Sequence, residues 1–183
     1  MSEALPQLVM RRRRLDDLPE AVPPPGYQIR SFKESDVSGW NEVLRLAFEW
    51  GPGHEDFETI MRSDAAYDPG RVKVVVTEQG QVVATASCWY RERFGDDNRM
   101  LHYVAVHPEH RGQRLGHIVS LAAMHHAVAE GAHSMALLTD DFRDAAIKTY
   151  LRMGFVPEYT HRSHSERWRL IRGRLGWSAS IDE

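Results

Sequence analysis

The clearest chemical feature of the chain is the segment from Met100 to Gly116, where an alternating apolar strand runs through a proline into a turn rich in arginine and glycine. The turn reads Arg111-Gly112-Gln113-Arg114-Leu115-Gly116 and leads directly into an amphipathic helix. The first N–H groups of a helix have no partner within it, and its dipole adds partial positive charge there. The segment therefore predicts a site for an anion such as a phosphate or pyrophosphate.

Metal or covalent chemistry has weaker support from the residue spacing. The chain has ten histidines, but His125 and His126 are adjacent and so point apart on a helix, with no cysteine nearby. The one cysteine, Cys88, lies on a strand away from the anion turn. No nucleophile elbow, Walker loop or dinucleotide fingerprint is present. We therefore predict no metal and no acyl-carrying cysteine.

Length and composition indicate a globular protein. The chain has 183 residues, 42% of them hydrophobic and 27% charged, which is enough for one domain with a buried core. Its 23 basic and 26 acidic side chains give a net charge of −3, which argues against a nucleic-acid partner. A single cysteine fits a reducing compartment, and no apolar run suits a membrane span or signal peptide. The expected location is the cytoplasm, without a membrane partner.

The N-terminal residues 1–26 are predicted to be an extension. Four arginines, Arg11 to Arg14, follow an apolar stretch, so contact with nucleic acid or lipid is one interpretation. Two aspartates follow at once, and we favour a solvated arm that packs Leu15 and Leu18 on the domain. Three prolines then form a stiff connector. The predicted boundaries are 1–26 for the extension, 27–172 for the domain and 173–183 for a tail.

Hydrophobic periodicity predicts the elements that position the anion turn. Predicted strands cover 27–32, 72–77, 82–90, 99–106, 135–139, 155–159 and 166–171, and predicted helices cover 34–48, 57–63, 113–130 and 144–153. The order β-α-α-β-β-β-α-β-α-β-β predicts an α+β fold with a mixed, mostly antiparallel sheet and one parallel crossover.

Two motifs in this order resemble those of the GCN5-related N-acetyltransferase (GNAT) superfamily. The anion turn is similar to the family's pyrophosphate loop, with Arg111 at its first position and Gly116 at its last, but Arg114 replaces the usual middle glycine. The second motif, residues 146–155, matches Ala-Ile-x-x-Tyr-x-x-x-Gly-Phe, and Arg143 stands where many members carry asparagine. The resemblance covers residues 27–171 and implies a single GNAT-type domain with helices on both sheet faces and splayed central strands.

The resemblance implies acetyl transfer from acetyl-CoA to an amine by direct attack in a ternary complex. It implies that backbone groups of Val104, Ala105 and Val106 hold the pantetheine and thioester. Tyr150 matches the tyrosine that protonates the departing sulfur, since the pKa of a phenol, near 10, resembles that of an alkyl thiol. A core-edge aromatic without a catalytic role is the other interpretation of Tyr150. The pyrophosphate would be held by Arg111, Gly112, Gln113, Arg114, Leu115 and Gly116.

His102 is the candidate general base. Its strand resembles that of the arylalkylamine N-acetyltransferase branch, where histidines help to deprotonate the amine, although Met100 occupies that branch's other histidine position. An imidazole with a pKa near 6.5 would give a rate that rises between about pH 6 and 7.5. The alternative is a strand histidine whose hydrogen bonds are satisfied and which has no catalytic role.

The acceptor pocket implied by the family lies between residues 50–57 and 159–165. Trp50, Phe57 and Tyr159 would be its apolar walls, and Glu55, with other nearby carboxylates, would attract an ammonium group. A small primary amine is the predicted acceptor, whereas His161, Arg162 and His164 would favour an acidic one. The sequence leaves open whether the chain forms a homodimer. The alternative function, suggested by Arg114 and Arg143, is a non-catalytic acyl-CoA-binding or regulatory module.

Overall fold

A computed structural model describes residues 5–51, 53–54 and 56–177. These residues form two compact units: a larger one of residues 13–135, and a smaller one made by the residues up to Arg12 and those from Ala136 onward. The strands are β1 (Leu8–Arg12), β2 (Tyr27–Ser31), β3 (Val72–Thr77), β4 (Val82–Trp89), β5 (Asn98–Val106), β6 (Ser134–Thr139) and β7 (Val156–Glu158). The helices are α1 (Val37–Ala47), α2 (Leu115–Ala129), α3 (Asp144–Arg152) and α4 (His164–Leu175).

The larger unit is built on four antiparallel strands in the order β2-β3-β4-β5. Every residue of β4 is buried, and both α1 and α2 pack against this strand. A strand buried on both faces needs apolar or small side chains throughout, and β4 reads VVATASCW. Close approach of α1 requires Gly39, because a Cβ there would stand 3.0 Å from Val82 Cβ.

A β-bulge interrupts the pairing of β5 with β4. Ser87 pairs with His102 and Thr85 pairs with Ala105, so Ala86 alone opposes both Tyr103 and Val104. Tyr103 has φ of 46°, a left-handed conformation that is rare for a large side chain. A bulge interrupts the regular strand pairing and bends the strand.

The smaller unit contains the strand order β6-β1-β7, with β1 antiparallel to β7. α3 and α4 contact each other, and the Arg174 guanidinium of α4 donates to the Asp144 carboxylate of α3 at 3.0 Å. Ile147 and Tyr150 of α3 and Trp168 and Ile171 of α4 are buried. Their spacing shows how the amphipathic faces of the two helices meet the core.

The prediction of a solvated N-terminal arm is wrong for residues 8–12. Leu8, Val9 and Met10 are buried in the middle strand of the smaller unit. Arg11 Nε donates to Glu158 at 2.7 Å, and Arg12 donates to the carbonyl of Met153 at the end of α3. The arginines suggested solvation, but two of them have partners within this unit.

The predicted final strand at 166–171 is also wrong, because these residues belong to α4. The buried positions His164, Trp168 and Ile171 lie four and three residues apart, which is the helical period. Glu166 and Arg169 form an i,i+3 ion pair at 2.6 Å that suits a helix surface. The short helix predicted near Met61 is present as a π-helical segment, Glu58–Arg62.

The other predicted strands and helices are present within a few residues of their expected bounds. The domain boundaries at 26/27 and 172/173 and the splaying of the central strands stay predictions. None of the helices in the described part of the chain is both long and apolar enough to cross a membrane.

Candidate active site

The anion turn has the backbone geometry of an anion-binding nest. Gly112 and Arg114 have φ of 83° and 60°, and the residues beside them have negative φ. Within the described chain, no acceptor is found for the N–H groups of Gly112, Gln113 and Arg114, and no side chain caps the start of α2. Unpaired N–H groups at the start of a 15-residue helix form a concave donor site for an anion.

Arg114 occupies a left-handed position, with φ 60° and ψ 16°. Glycine adopts this conformation without the steric cost that a side chain adds, which explains why glycine is usual here. The arginine keeps the backbone path of the turn and adds a positive charge at its rim. The departure from the family pattern therefore leaves the donor geometry intact.

The charge of the turn is available to a ligand. The Arg111 and Arg114 side chains are exposed, and neither makes an ion pair or hydrogen bond with another described residue. Burial, together with the nearby Arg114 charge, lowers the pKa of His117 in the first turn of α2. The local field is thus positive without a protonated histidine.

The histidines that flank the turn hold it in place. His107 is buried, its N–H donates to the carbonyl of Val83 at 2.8 Å, and its Nδ1 accepts from the Glu109 N–H at 3.3 Å. His110 Nδ1 lies 2.9 Å from the Tyr27 hydroxyl. These contacts assign both histidines to supporting the loop.

Gly116 brings the helix start close to the end of β5. A Cβ at this glycine would lie 3.3 Å from Val106 Cγ2, so a larger residue would push α2 away from the strand. The bulged stretch Val104–Val106 and the anion turn are therefore adjacent, as an extended ligand with a phosphate group requires.

His102 lies just before the bulge, with its ring 4.0 Å from that of Tyr103 and 6.0 Å from that of Trp89. Burial, with a smaller contribution from Arg91, lowers its pKa to about 4. Neither ring nitrogen bonds to another residue in the described ranges. The side chain is thus neutral at physiological pH and has a free lone pair, but it is a weaker base than the sequence suggested.

Tyr150 lies on α3 in the smaller unit and is almost fully buried, with its ring 6.1 Å from that of Phe155. Burial raises the pKa of its phenol to about 12. Its hydroxyl has no hydrogen-bond partner among the residues that the structure describes. The proton therefore stays on the oxygen at physiological pH and can be donated.

The predicted acceptor residues separate into different environments. Trp50 is partly exposed and stacks on His54 at 3.7 Å between ring centroids. Phe57 is fully buried and stacks on Phe32 at 4.4 Å, so it belongs to the core and presents no open wall. Tyr159, in the smaller unit, is exposed, and its hydroxyl accepts from Arg172. Glu55 lies outside the described residues.

Comparison with known protein families shows to which family the chain belongs. The model of the Acetyltransferase (GNAT) family matches residues 37–155, well over half of the chain. The chain belongs to the GNAT family. The match contains both motifs, the anion turn and the Tyr150 helix.

Relatives of this GNAT chain include proteins named mycothiol acetyltransferase. The one from Nocardia farcinica is 25% identical over 84% of this chain and 54% of its own length, and the one from Rhodococcus erythropolis is 28% identical over 81% and 54%. The one from Pseudarthrobacter chlorophenolicus is 30% identical over 76% and 46%. The chain spans about half the length of these relatives.

Solved structures show the same fold. A GCN5-related N-acetyltransferase from Sphaerobacter thermophilus superposes with a TM-score of 0.67 at 21% identity, over 84% of this chain and 50% of that one. The ribosomal-protein-S18-alanine N-acetyltransferase from Escherichia coli gives 0.58 at 19% identity, over 71% and 77%. The chain therefore has the GNAT fold, and the predicted α+β class is confirmed.

Sequence reasoning missed two features of the GNAT site. Tyr103 at the bulge packs edge-on against Trp40 at 5.9 Å, and no local sequence signal marks its left-handed backbone. Ser87 pairs with His102 across the strands, and its buried hydroxyl has no hydrogen-bond partner within the described chain. Strand alternation could have placed Ser87 beside His102 only if the register had been known. Within the described ranges, no group of three or more metal-binding side chains is present.

Proposed function

We propose that this GNAT chain transfers an acetyl group from acetyl-CoA to the primary amine of a small molecule by direct attack. The observation that carries the proposal is the anion turn, whose free N–H groups and exposed arginines directly follow a bulged strand. A pyrophosphate fits the turn, and the pantetheine arm, with its amide groups, would lie along residues 104–106, directly after the bulge.

His102 is the proposed general base. A neutral imidazole can take the proton that the amine loses as it attacks the thioester, directly or through a water molecule. With its pKa lowered to about 4, His102 remains unprotonated across the physiological range. The unpaired Ser87 hydroxyl beside it offers a place for such a water.

Tyr150 is the proposed general acid. The departing thiolate needs a proton, and the Tyr150 hydroxyl is protonated and has no described partner with which a new hydrogen bond would compete. Burial strengthens the interaction of a phenol proton with a nearby anion, since the local dielectric is low. Cys88 has no part in transfer, because it is fully buried and its pKa is raised to about 12.

A small acceptor is supported by the relatives, which are named for mycothiol rather than for a protein. Trp50, the His54 ring that packs on it and the exposed Glu49 remain as wall candidates in the larger unit, whereas Phe57 belongs to the core. Aromatic faces and a carboxylate suit an ammonium group. A cytoplasmic location also stays part of the proposal.

Steady-state assays with an acceptor panel test this assignment. The panel contains arylalkylamines, amino sugars, polyamines, acidic amino acids and histone-like peptides, each with acetyl-CoA and a thiol-detecting reagent. Turnover confined to the small amines is the expected result. Turnover with only acidic amino acids or peptides would reject the proposed acceptor class.

A further inference from the structure

A second cluster of reactive side chains lies in the larger unit, away from the anion turn. A surface cavity of about 380 Å³ is lined by Ile29 and Ser31 of β2, Lys73 of β3, and Ala122 and His126 of α2. His126 is more than two helical turns further along α2 than the turn itself, roughly 15 Å at 1.5 Å per residue. None of the residues assigned to acetyl transfer lines this cavity.

Lys73 is the centre of a hydrogen-bonded chain at this cavity. Its Nζ donates to Ser31 Oγ at 2.9 Å, the partner directly opposite it on β2, and lies 3.4 Å from His126 Nδ1. His126 Nε2 lies 3.3 Å from a Glu130 carboxylate oxygen. An ammonium only donates, so Nδ1 is the acceptor and Nε2 carries the hydrogen that faces Glu130.

Glu130 is itself fixed, because Arg71 and Arg99 donate to its two carboxylate oxygens at 2.6 and 2.7 Å. A carboxylate held in this way sets the tautomer and the ring orientation of His126. The chain Glu130-His126-Lys73 therefore has the order of an orienting acid, a base and a nucleophile.

Partial burial favours the neutral form of Lys73 and outweighs the nearby charges of Asp68 and Glu130, which favour the ammonium. Lys73 is half-buried, and desolvation lowers its pKa, as it also lowers the pKa of His126. In the described chain, no carboxylate lies within ion-pair distance of Nζ. Arg30, which also lines the cavity, is neutralised by Asp36 at 2.6 Å and leaves no free anion for the lysine.

We propose that Lys73 is a site of Nε-acetylation, with His126 as its base and a thioester such as acetyl-CoA as the acyl donor. His126 Nδ1 takes a proton from the ammonium, and the freed lone pair of Nζ attacks the thioester carbonyl carbon. The N–C bond forms and the C–S bond breaks. One ammonium and one thioester become an amide, a free thiol and a proton released to solvent.

The cavity has room for the product. An acetyl group occupies much less space than about 380 Å³, and the cavity is open to solvent. Acetylation removes the positive charge of Lys73 and the hydrogen bond from Nζ to His126. Because the step uses only Lys73, His126 and a thioester, it does not depend on transfer to a free amine.

The chain provides its own internal controls for the test. It has three lysines, and the other two, Lys33 and Lys148, are exposed. The full chain is incubated with acetyl-CoA, digested, and the acetylated fraction at each lysine is measured over time by mass spectrometry. Lys73 is expected to react at least about 10-fold faster than either exposed lysine. Equal or slower reaction at Lys73 overturns the proposal.

The role of His126 is tested with His126→Gln, and His125→Gln is the matched control, since His125 lines the same cavity but contacts the carbonyl of Pro19. His126→Gln should slow acetylation of Lys73 by about 10-fold or more and leave Lys33 and Lys148 unchanged. His125→Gln should change nothing.

Thermal melts confirm that both variants are folded, and unchanged rates at the exposed Lys33 and Lys148 show that the concentration and reactivity of acetyl-CoA are the same in each assay. An unchanged Lys73 rate in folded His126→Gln overturns the assigned base. Acetylation of Lys73 without turnover of any free amine would reject the proposed function and support this site. Turnover of a free amine without faster acetylation of Lys73 would support the proposed function and reject this site.

Discussion

His102 and Tyr150 are both neutral over a wide pH range, and burial is the cause in each case. Desolvation penalises the charged form, so it lowers the pKa of the imidazole to about 4 and raises that of the phenol to about 12. A base without its proton and an acid with its proton are what amine acetylation needs at the two ends of the reaction. At the residue scale, burial prepares both groups before any ligand binds.

Tyr150→Phe tests the acid. The substitution keeps the ring in its apolar site and removes the proton, so kcat should fall by about 10² while the affinity for acetyl-CoA changes little. Tyr90→Phe is the control, because the Tyr90 hydroxyl donates to Asp96 outside the proposed site. An unchanged kcat in Tyr150→Phe would assign the proton donor to another group.

His102 gives a pH prediction that differs from the one made from sequence. A free-enzyme pKa of about 4 means that the base is already unprotonated at pH 6, so kcat/KM should lose activity only as pH falls toward 4. If kcat/KM rises between pH 6 and 7.5 and still does so in His102→Gln, the titrating group belongs to the substrate or is another side chain.

His102→Gln should lower kcat/KM by about 10² and remove the acid limb, whereas the exposed His133→Gln should do neither. If kcat/KM of the wild-type chain instead rises between pH 6 and 7.5, and this rise disappears in His102→Gln, the pKa of His102 is not lowered in solution.

The start of α2 is where element geometry decides ligand binding. Gly116→Ala adds only the Cβ that would meet Val106 Cγ2 at 3.3 Å, while Gly116→Asp adds a carboxylate beside the donor groups of the turn. The alanine should weaken CoA binding modestly, and the aspartate should weaken it at least about 10-fold more, since like charges repel at a helix N-terminus. Calorimetry with CoA measures both, and equal affinities for the two variants would contradict the assigned anion site.

Arg114→Gly separates backbone strain from charge in the same element. Glycine accepts φ of 60° without the cost of a side chain, so the variant should gain about 0.5–1 kcal/mol in unfolding free energy. CoA affinity should fall by only a few-fold, because one exposed charge is lost and the N–H groups remain. A large gain in affinity would mean that the arginine obstructs the turn. Denaturant titration and calorimetry give the two numbers.

At the scale of the whole molecule, the N-terminal strand is part of the fold. Leu8 is fully buried in β1, whereas Leu5 is 62% exposed. Leu8→Ala should reduce the unfolding free energy by about 2–5 kcal/mol, and Leu5→Ala by little, as urea titration would show. Similar small effects for the two would mean that β1 contributes no more than an exposed segment.

The sequence predicted the parts of the fold that rest on local patterns. Val72–Thr77, the anion turn and the α3 motif each carry their signal within about ten residues, and all three are present. The pairing of β1 with β7 joins residues about 150 positions apart, and the four arginines beside β1 masked it. The bulge at Tyr103 and the burial that shifts His102 depend on strand register and packing, which no local pattern contains.

Amine-dependent release of CoA from acetyl-CoA is the most direct test of acetyl transfer by this chain. The full chain is mixed with acetyl-CoA and a small primary amine, and free thiol is followed over time beside Tyr150→Phe. Thiol release is expected to require the amine, to saturate with both substrates and to fall by about 10² in the variant. Tight binding of acetyl-CoA by the wild-type chain, without thiol release for any amine of the panel, would contradict it and favour a non-catalytic acyl-CoA-binding module.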